Sequence, residues 1–358
     1  MNLGPQHPST HGVLRVVLKM DGEYIEQAEP VLGYLHRMHE KMAENRSYQQ
    51  FLPNTGRMDY LGPMSFNLGY VLAVERLCAI SVPDRAIFVR IIATELNRIC
   101  SHLLWVGAYL ADLGALTPFL FVFDDREQIQ DVLEGITGSR LTYCYFRFGG
   151  LYNDVDDQFI AGTKAFVKRM WGRFSLYEKL VTGNVIFVNR TKGIGTITGE
   201  QARKYGVAGP VLRSAGIACD LRKVESYSAY NEMEFNIPVG EHGDALDTYK
   251  IRIAEMENSL RIIEQALAKL PGGPFMAEKV PKKLKPPRGD IYQVVETPRG
   301  ELGIYIVSDE SDRPLRMKWR VPSFSNLMIF PELARGMLLA DAVAILGSLD
   351  LVIPEIDR

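Results

Sequence analysis

The chain has 358 residues, of which 47% are hydrophobic and 23% charged, as in globular proteins that bury a core without disulfides. Its formal net charge of −2 at pH 7 lacks the positive excess by which proteins bind nucleic acids, so no nucleic-acid partner is expected. This length predicts one or two domains.

A loop opens the chain at residues 4–12, where two prolines and two glycines prevent a helix. Two strands are predicted next, at residues 13–20 and 23–31. The pair Asp21-Gly22 between them is a strong signal for a two-residue hairpin turn.

The opening loop carries two histidines, His7 and His11. Imidazole is the side chain best suited to proton transfer near neutral pH. The prolines stiffen the loop that holds them. The sequence therefore leaves two interpretations open, a functional role and an ordinary position on the surface.

A helical pattern begins after Gly33 and fills most of the next 240 residues. Apolar periodicity and helix start signals predict helices at residues 33–48, 64–80, 84–113, 124–137, 155–181 and 244–269. An irregular, glycine-rich segment at residues 182–239 interrupts this series. One short helix is predicted inside it, at residues 199–205.

The C-terminal part begins with a proline-rich and lysine-rich linker. A second hairpin, a third strand and a final helix are predicted after it, at residues 291–296 with 301–307, 315–321 and 324–349. The predicted class is α+β, a large helical body with small antiparallel sheets from both ends. The predicted division is residues 1–32, 33–269 with its irregular segment 182–239, and 270–358.

Several classes of site lack their signature. Four cysteines are present and none forms a CxxC pair, so the chain has no local motif for an iron–sulfur cluster or a zinc ion. Gly193 and Gly195 are not followed by the rest of a dinucleotide-binding fingerprint, so NADH binding by this chain is not expected. The best candidate for a membrane span, residues 99–111, is shorter than the ~20 residues required.

Charged residues interrupt the apolar pattern of the third predicted helix. Glu95, Arg98 and His102 fall on one face of it, and the surrounding residues predict burial on all sides. They form either a structural ion pair capped by histidine or a functional cluster. His36 and His39, one helical turn apart, lack further metal ligands at usable spacing.

Two further segments combine polar side chains. Residues 54–63 connect two helices and hold Arg57 and Tyr60, and Tyr60 can donate a hydrogen bond or a proton. Asp112 lies near the end of the long helix. Taken alone, both segments are explained by turn and capping functions.

Together, these segments resemble one family, the 49-kDa-type or D subunits of respiratory complex I. The opening GPQHPSTHGVLR at residues 4–15 is similar to the signature of that family. Further matches occur in the same order along the whole chain: GYLH at 33–36, RMDYL at 57–61, RICSHL at 98–103, DLGALTPF at 112–119, LRSAG at 212–216, RGELG at 299–303 and ILGSLD at 345–350.

The resemblance implies a fold like that of nickel–iron hydrogenase large subunits. Hydrogenases bind their metal with two CxxC motifs, and the second corresponds to DLVIPE at residues 350–355. Val352 and Glu355 stand where the thiolates would be, which excludes hydrogenase chemistry because such a site needs soft ligands. The resemblance implies that the vacated cavity holds a quinone headgroup.

The resemblance also implies roles for individual residues. His11 and Tyr60 resemble the side chains that hydrogen-bond the two quinone carbonyls, and Asp112 resembles the carboxylate that pairs with the histidine. Arg57 resembles the arginine near the terminal 4Fe–4S cluster, which the neighbouring B subunit holds. Thr142 stands where many members have a histidine beside that cluster.

The function implied is quinone reduction (ubiquinone or menaquinone) within a proton-translocating NADH:quinone oxidoreductase, with activity only in the complex. The implied partners are the B, C and I subunits of the peripheral arm and the H subunit of the membrane arm. A peripheral position on the cytoplasmic face of the membrane follows from assembly. Two alternatives remain, a related complex using ferredoxin or the deazaflavin coenzyme F420 as donor, and a non-catalytic scaffold.

Overall fold

The computed structural model describes residues 1–10 and 12–358. In these residues long helices pack with three small antiparallel sheets, so the predicted α+β class is confirmed. The helices are α1 His39–Glu44, α2 Tyr48–Thr55, α3 Pro63–Leu77, α4 Asp84–Asp112, α5 Leu116–Thr137, α6 Asp157–Tyr177, α7 Val185–Thr191, α8 Gly199–Tyr205, α9 Gly209–Ser214, α10 Leu221–Val224, α11 Ala245–Lys269, α12 Pro322–Met328, α13 Phe330–Ala334, α14 Leu339–Ser348 and α15 Ile353–Asp357.

The strands form one sheet from each end of the chain and a small one in the middle. They are β1 Asn2–Leu3, β2 Arg15–Asp21, β3 Tyr24–Val31, β4 Phe146–Arg147, β5 Gly150–Leu151, β6 Gly289–Thr297, β7 Gly300–Ser308 and β8 Arg316–Arg320. Their orders are β1-β2-β3, β4-β5 and β6-β7-β8. Asp21 pairs with Tyr24, so the first hairpin turns at Gly22-Glu23, one residue later than predicted.

Helix α4 is the central element of the fold. It packs against α3, α5, α11 and α14, and its apolar residues Ile91, Leu96 and Ile99 are fully buried. The prediction that this helix is buried on all sides is confirmed. Consequently its polar residues Glu95 and Arg98 also lie in the interior.

The predicted helix at residues 33–48 is wrong in its first turns. Residues 33–38 are not helical, and the helical structure divides into α1 and α2. The Asp357 carboxylate accepts the backbone N–H groups of Gly33 at 2.9 Å and Leu35 at 2.8 Å. These donors are thereby satisfied by a residue far away in the sequence, which competes with helix formation.

The single final helix predicted at residues 324–349 is also wrong. Three short helices, α12 to α14, take its place, and α15 follows them. Gly336 has φ +78° and donates its backbone N–H to Ile25 of β3, and Ile25 donates to Met337. The segment between α13 and α14 therefore extends the N-terminal sheet instead of continuing a helix. The short helix predicted at residues 199–205 is confirmed as α8, but the prediction of one helix within residues 182–239 is wrong, because α7, α9 and α10 also lie there.

The β6–β7 hairpin, predicted from sequence, places an arginine in the core. Thr297 pairs with Gly300, so the turn consists of Pro298 and Arg299. The Thr297 hydroxyl accepts the Arg299 N–H at 3.2 Å and donates to the Gly300 carbonyl at 2.9 Å. Gly209 permits the close approach of α9, because a Cβ there would lie 2.3 Å from the Arg299 carbonyl oxygen.

Among the described residues, none of the helices combines the length and apolar character that crossing a bilayer requires.

Candidate functional site

Tyr60 lies in the short connector between α2 and α3. The preceding residue, Asp59, is fully buried, and its Oδ1 accepts the backbone N–H groups of Leu61 and Gly62, each at 3.0 Å. These bonds fold the connector into a fixed turn. Tyr60 is half-buried at the edge of this turn.

Arg299 connects this turn to two other parts of the chain. Its Nη1 lies 2.7 Å from Asp59 Oδ2, its Nε lies 3.6 Å from Asp350 Oδ1, and its Nη2 donates to Ser101 Oγ at 3.3 Å. The guanidinium is 0% exposed. Burial alone would lower the pKa of Arg299, but Asp350 and Asp59 more than offset this and keep it charged.

The surroundings of Tyr60 keep its phenol neutral. Burial raises the pKa of the Tyr60 hydroxyl, while the positive charge of Arg299 opposes that rise. A cation beside the phenol stabilises negative charge as it develops on the oxygen. The arrangement can therefore donate a hydrogen bond or a proton to a ligand at Tyr60.

Residues 350–355 contact the same group of residues, because Asp350 lies next to Arg299. Val352 and Glu355 are buried here. Glu355 Oε1 accepts the Ser323 N–H at 2.9 Å, and Ser323 Oγ accepts the Val352 N–H at 3.3 Å. Burial, and next the Asp59 carboxylate, raise the pKa of Glu355 to about 8.

Asp112 is the last residue of α4 and is half-buried. A Cβ on Gly347 would lie 3.9 Å from Asp112 Oδ2, and the Gly347 carbonyl accepts the Trp105 indole N–H at 2.8 Å. The C-terminal segment thus approaches Asp112 at Gly347 and Arg299 at Asp350. Residues 347–350 therefore contact both Asp112 and the arginine near Tyr60.

His11 lies outside the described residues. Beside it, the Thr10 hydroxyl donates to the carbonyls of His7 at 2.7 Å and Gly12 at 3.0 Å. A Cβ on Gly12 would lie 3.1 Å from the side chain of Ile353, so the opening loop packs against the same C-terminal segment. The loop contains a three-residue 3-10 helix, Pro8–Thr10, and the prediction that it excludes any helix is wrong there.

Arg57 lies in the same connector as Asp59 but, unlike Asp59, is exposed. Its guanidinium is exposed and donates to the Pro53 carbonyl at 2.6 Å. A Cβ on Gly56 would lie 2.9 Å from the Tyr143 carbonyl oxygen. This contact brings the segment carrying Arg57 beside the one carrying Thr142.

The segment carrying Thr142 is firmly held. The Arg140 carbonyl accepts the Gln130 amide at 2.7 Å and the Tyr143 hydroxyl at 3.0 Å. The Arg140 guanidinium contacts three carboxylates of α5, those of Glu127, Asp131 and Glu134. Thr142 itself is half-buried on this anchored segment.

The polar face of α4 belongs to a buried network. The predicted ion pair is confirmed, with Arg98 Nε 3.1 Å from Glu95 Oε2. The prediction that His102 caps this pair is wrong, because His102 Nε2 lies 3.1 Å from Glu255 Oε2 on α11. Two helical turns separate His102 from Glu95, and the packing of α11 supplies a nearer partner.

The other two histidines of interest do not converge on a metal site. His36 Nδ1 lies 2.7 Å from the Asp357 carbonyl oxygen. His39 is fully buried, and neither ring nitrogen has a hydrogen-bond partner among the described residues. Within residues 1–10 and 12–358, no group of three His, Cys, Asp or Glu side chains is arranged to hold a metal ion.

Three buried residues around Tyr60 were not predicted as site residues from the sequence. They are Asp59, Arg299 and Asp350. Each could have been found as a charged residue within an otherwise apolar run. For Arg299, however, the position in a predicted turn favoured a place on the surface. The contact between Asp59 and Arg299 joins residues 240 apart in the sequence.

Comparisons with known proteins agree on one family. Residues 112–284 and 278–358 match the family model for the 49 Kd subunit of respiratory-chain NADH dehydrogenase. The D subunit of an NADH-quinone oxidoreductase from Syntrophobacter fumaroxidans is 60% identical over all of this chain and 96% of its own length. Its counterpart in Desulfotalea psychrophila is 59% identical with the same coverage, and one of Opitutus terrae is 55% identical over 90% of its length.

Proposed function

Because the chain belongs to the family of 49-kDa subunits of respiratory-chain NADH dehydrogenase, we propose that it binds and reduces the headgroup of a membrane quinone. It does so as one subunit of a proton-translocating NADH:quinone oxidoreductase. The names of its relatives specify NADH and quinone as the two substrates of their complexes. NADH is oxidised elsewhere in the complex.

Tyr60 is the residue whose surroundings support this function best. The positive charge of Arg299 acts on the Tyr60 phenol, and both Asp59 and Arg299 are fully buried. Tyr60 donates a hydrogen bond to one quinone carbonyl, and His11 donates to the other. These bonds strengthen as negative charge develops on the quinone oxygens, which stabilises the transition state.

Asp112 acts through His11 in this proposal. The carboxylate orients the imidazole and stabilises its protonated form, as an acid next to a base does in other sites. Two electrons and two protons convert the quinone to quinol. Tyr60 supplies one proton, and the pair of His11 and Asp112 supplies the other.

The electrons arrive singly from a 4Fe–4S cluster held by the neighbouring B subunit. Arg57 faces that cluster, which fits the exposure of its guanidinium and its place beside the segment of Thr142. The B, C and I subunits of the peripheral arm and the H subunit of the membrane arm are the partners. The chain sits at the cytoplasmic face of the membrane through these contacts, and the charge change on quinone reduction drives proton pumping in the membrane arm.

The test of the site is photolabelling of the assembled complex with a quinone analogue that carries a photoreactive group on its headgroup. We expect labelled peptides from residues 57–62 and 350–355, and protection of both by excess unlabelled quinone. Equal labelling and protection at unrelated surfaces, or labelling that misses both segments, contradicts the proposal. Omitting illumination controls for non-covalent carry-over.

A further inference from the structure

Two carboxyl groups, those of Asp59 and Glu355, face one guanidinium near Tyr60. Both side chains are 0% exposed. Asp59 Oδ2 lies 2.7 Å from Arg299 Nη1, and Glu355 also acts electrostatically on Arg299. The charge of Asp59 in turn raises the pKa of Glu355. The two buried carboxyls therefore act on the same buried guanidinium.

Counting charges shows that this buried cluster holds one carboxyl more than its cations can neutralise. Asp350 lies 2.9 Å from Arg252 Nη1 and 3.6 Å from Arg299 Nε. Three carboxyls, of Asp59, Asp350 and Glu355, thus face the two guanidiniums of Arg252 and Arg299. An unpaired charge at a buried position is strongly unfavourable, so one of the three carboxyls keeps a proton.

Hydrogen bonds indicate which carboxyl this is. Burial raises the pKa of both Asp59 and Glu355, but Asp59 accepts two backbone N–H groups and the Arg299 N–H, all of which favour its ionised form. Asp350 contacts two guanidiniums, with oxygens 2.9 Å from Arg252 Nη1 and 3.6 Å from Arg299 Nε. Glu355 accepts one backbone N–H at Oε1, and its Oε2 has no hydrogen-bond partner among the described residues. The bare oxygen of Glu355 is the best place for the proton.

We propose that Asp59 and Glu355 share one proton, resident on Glu355, and that this proton restores Tyr60 after Tyr60 has donated its own to the quinone. The inference rests on the proposed function for its second half only. In this step the Tyr60 O–H bond breaks and an O–H bond forms on the quinone. The proton from the pair then passes to the Tyr60 oxygen, and the pair takes up another from solvent. No electrons move in the relay.

Asp59 and Glu355 are positioning and relay residues in this scheme, because they act through Tyr60. The other charged or titratable groups that face them are Arg299 from the β6–β7 turn, Asp350 before α15, Arg252 from α11 and Tyr60 itself. Ser323 from α12 donates to Glu355 and favours its ionised form, which opposes the effect of burial. When the shared proton leaves, both carboxyls are ionised. Arg299 is then their counter-ion.

The first test uses infrared spectroscopy on the assembled complex, to detect the C=O stretch of a protonated carboxyl at pH 7. We expect the band in the wild type and its loss in Glu355→Gln. We also expect its loss in Asp59→Asn, although Glu355 is still present there. Two carboxyls then face two guanidiniums, so Glu355 becomes ionised and no longer gives the band. A band that survives both substitutions overturns the inference. Glu200→Gln, a change on the exposed surface of α8, is the matched control and should keep it.

The second test is the pH profile of quinone reduction. Wild-type activity should fall as the pH rises through about 8, the pKa of Glu355. In Glu355→Gln we expect a rate lower by roughly 10- to 100-fold and flat across this range, since a positioned acid contributes at least this much. Glu355→Asp keeps a titratable group and should keep a pH-dependent limb. An unchanged alkaline limb in Glu355→Gln contradicts the relay.

Failure of the relay and failure of the proposed function give different results. Tyr60→Phe should lose quinone reduction and keep the carboxyl band. If Tyr60→Phe remains active while the band behaves as expected, the shared proton stands and the quinone role of Tyr60 falls. If the complex with Glu355→Gln does not assemble, comparing the carboxyl band of the wild type with that of Asp59→Asn still tests the shared proton.

Discussion

His102 and Arg252 face each other in the core, with Arg252 Nη1 3.4 Å from His102 Nδ1. A guanidinium only donates hydrogen bonds, so Nδ1 must accept. Nε2 then carries the hydrogen and donates to Glu255 Oε2 at 3.1 Å. Both contacts are satisfied only by neutral histidine, in agreement with burial, which lowers the pKa of His102 to about 4. His102 is a fixed structural residue and not a proton carrier.

This tautomer predicts how stability depends on pH. His102 binds a proton in the unfolded chain below pH 6.5 but in the folded chain only near 4. Stability is therefore lost as the pH falls from 6.5 to 4, by up to about 3 kcal/mol at 1.36 kcal/mol per unit. Hydrogen exchange of α4 and α11 amides in the assembled complex should show this loss. His102→Gln, which keeps a donor to Glu255, should abolish it, while His242→Gln on the surface should not.

Tyr60→Phe removes one hydroxyl and little volume. Losing one donor to a developing oxyanion typically lowers the rate by ~10²–10³. We expect quinone reduction to fall by this factor while the complex assembles and still reduces artificial electron acceptors from NADH. Tyr24→Phe, at a position 57% exposed, is the control and should be silent. Near-normal quinone reduction in Tyr60→Phe removes the role assigned to this phenol.

His11 and Asp112 should behave as one unit. If Asp112 acts only by orienting and charging His11, either single change does most of the damage. His11→Ala and Asp112→Asn should each impair quinone reduction, and the double variant should be little worse than the poorer single one. Steady-state kinetics of the three variants decide this. Losses that multiply in the double variant mean that the two residues act independently.

If Thr142 lies beside the terminal 4Fe–4S cluster of the neighbouring subunit, its side chain determines how the reduction potential of that cluster depends on pH. A histidine beside a cluster takes up a proton on reduction and raises the potential, whereas threonine cannot titrate. The terminal 4Fe–4S cluster should therefore have a potential nearly independent of pH around neutrality. In Thr142→His it should become higher and pH-dependent. Redox titration of the cluster's EPR signal at several pH values measures both.

Ser139→His is the matched control for this experiment. Ser139 lies on the same anchored segment, three residues before Thr142, and is also half-buried. A histidine there should leave the potential unchanged if the effect depends on position. A wild-type potential that already falls steeply with pH, or equal shifts in both variants, contradicts the placement of Thr142 beside the cluster.

The sequence alone determined the elements whose signals are local. Helices α3, α4, α6 and α11 and both hairpins follow from apolar periodicity and turn residues that act over a few positions. Local signals failed where distant backbone groups competed. Asp357 takes the N–H groups of Gly33 and Leu35, and Ile25 takes that of Gly336.

The tertiary structure alone decided which buried charges meet. Glu95 and Arg98 are three residues apart, and their pairing could be predicted because helical geometry fixes it. Asp59 and Arg299 are 240 residues apart, and His102 and Glu255 are 153 apart. No periodicity encodes such partners, because burial makes pairing obligatory for any charge while chain packing selects the partner. The motifs of the sequence thus predicted Tyr60 as a site residue, and only the packed core showed the buried charges of Asp59, Arg299 and Asp350 near it.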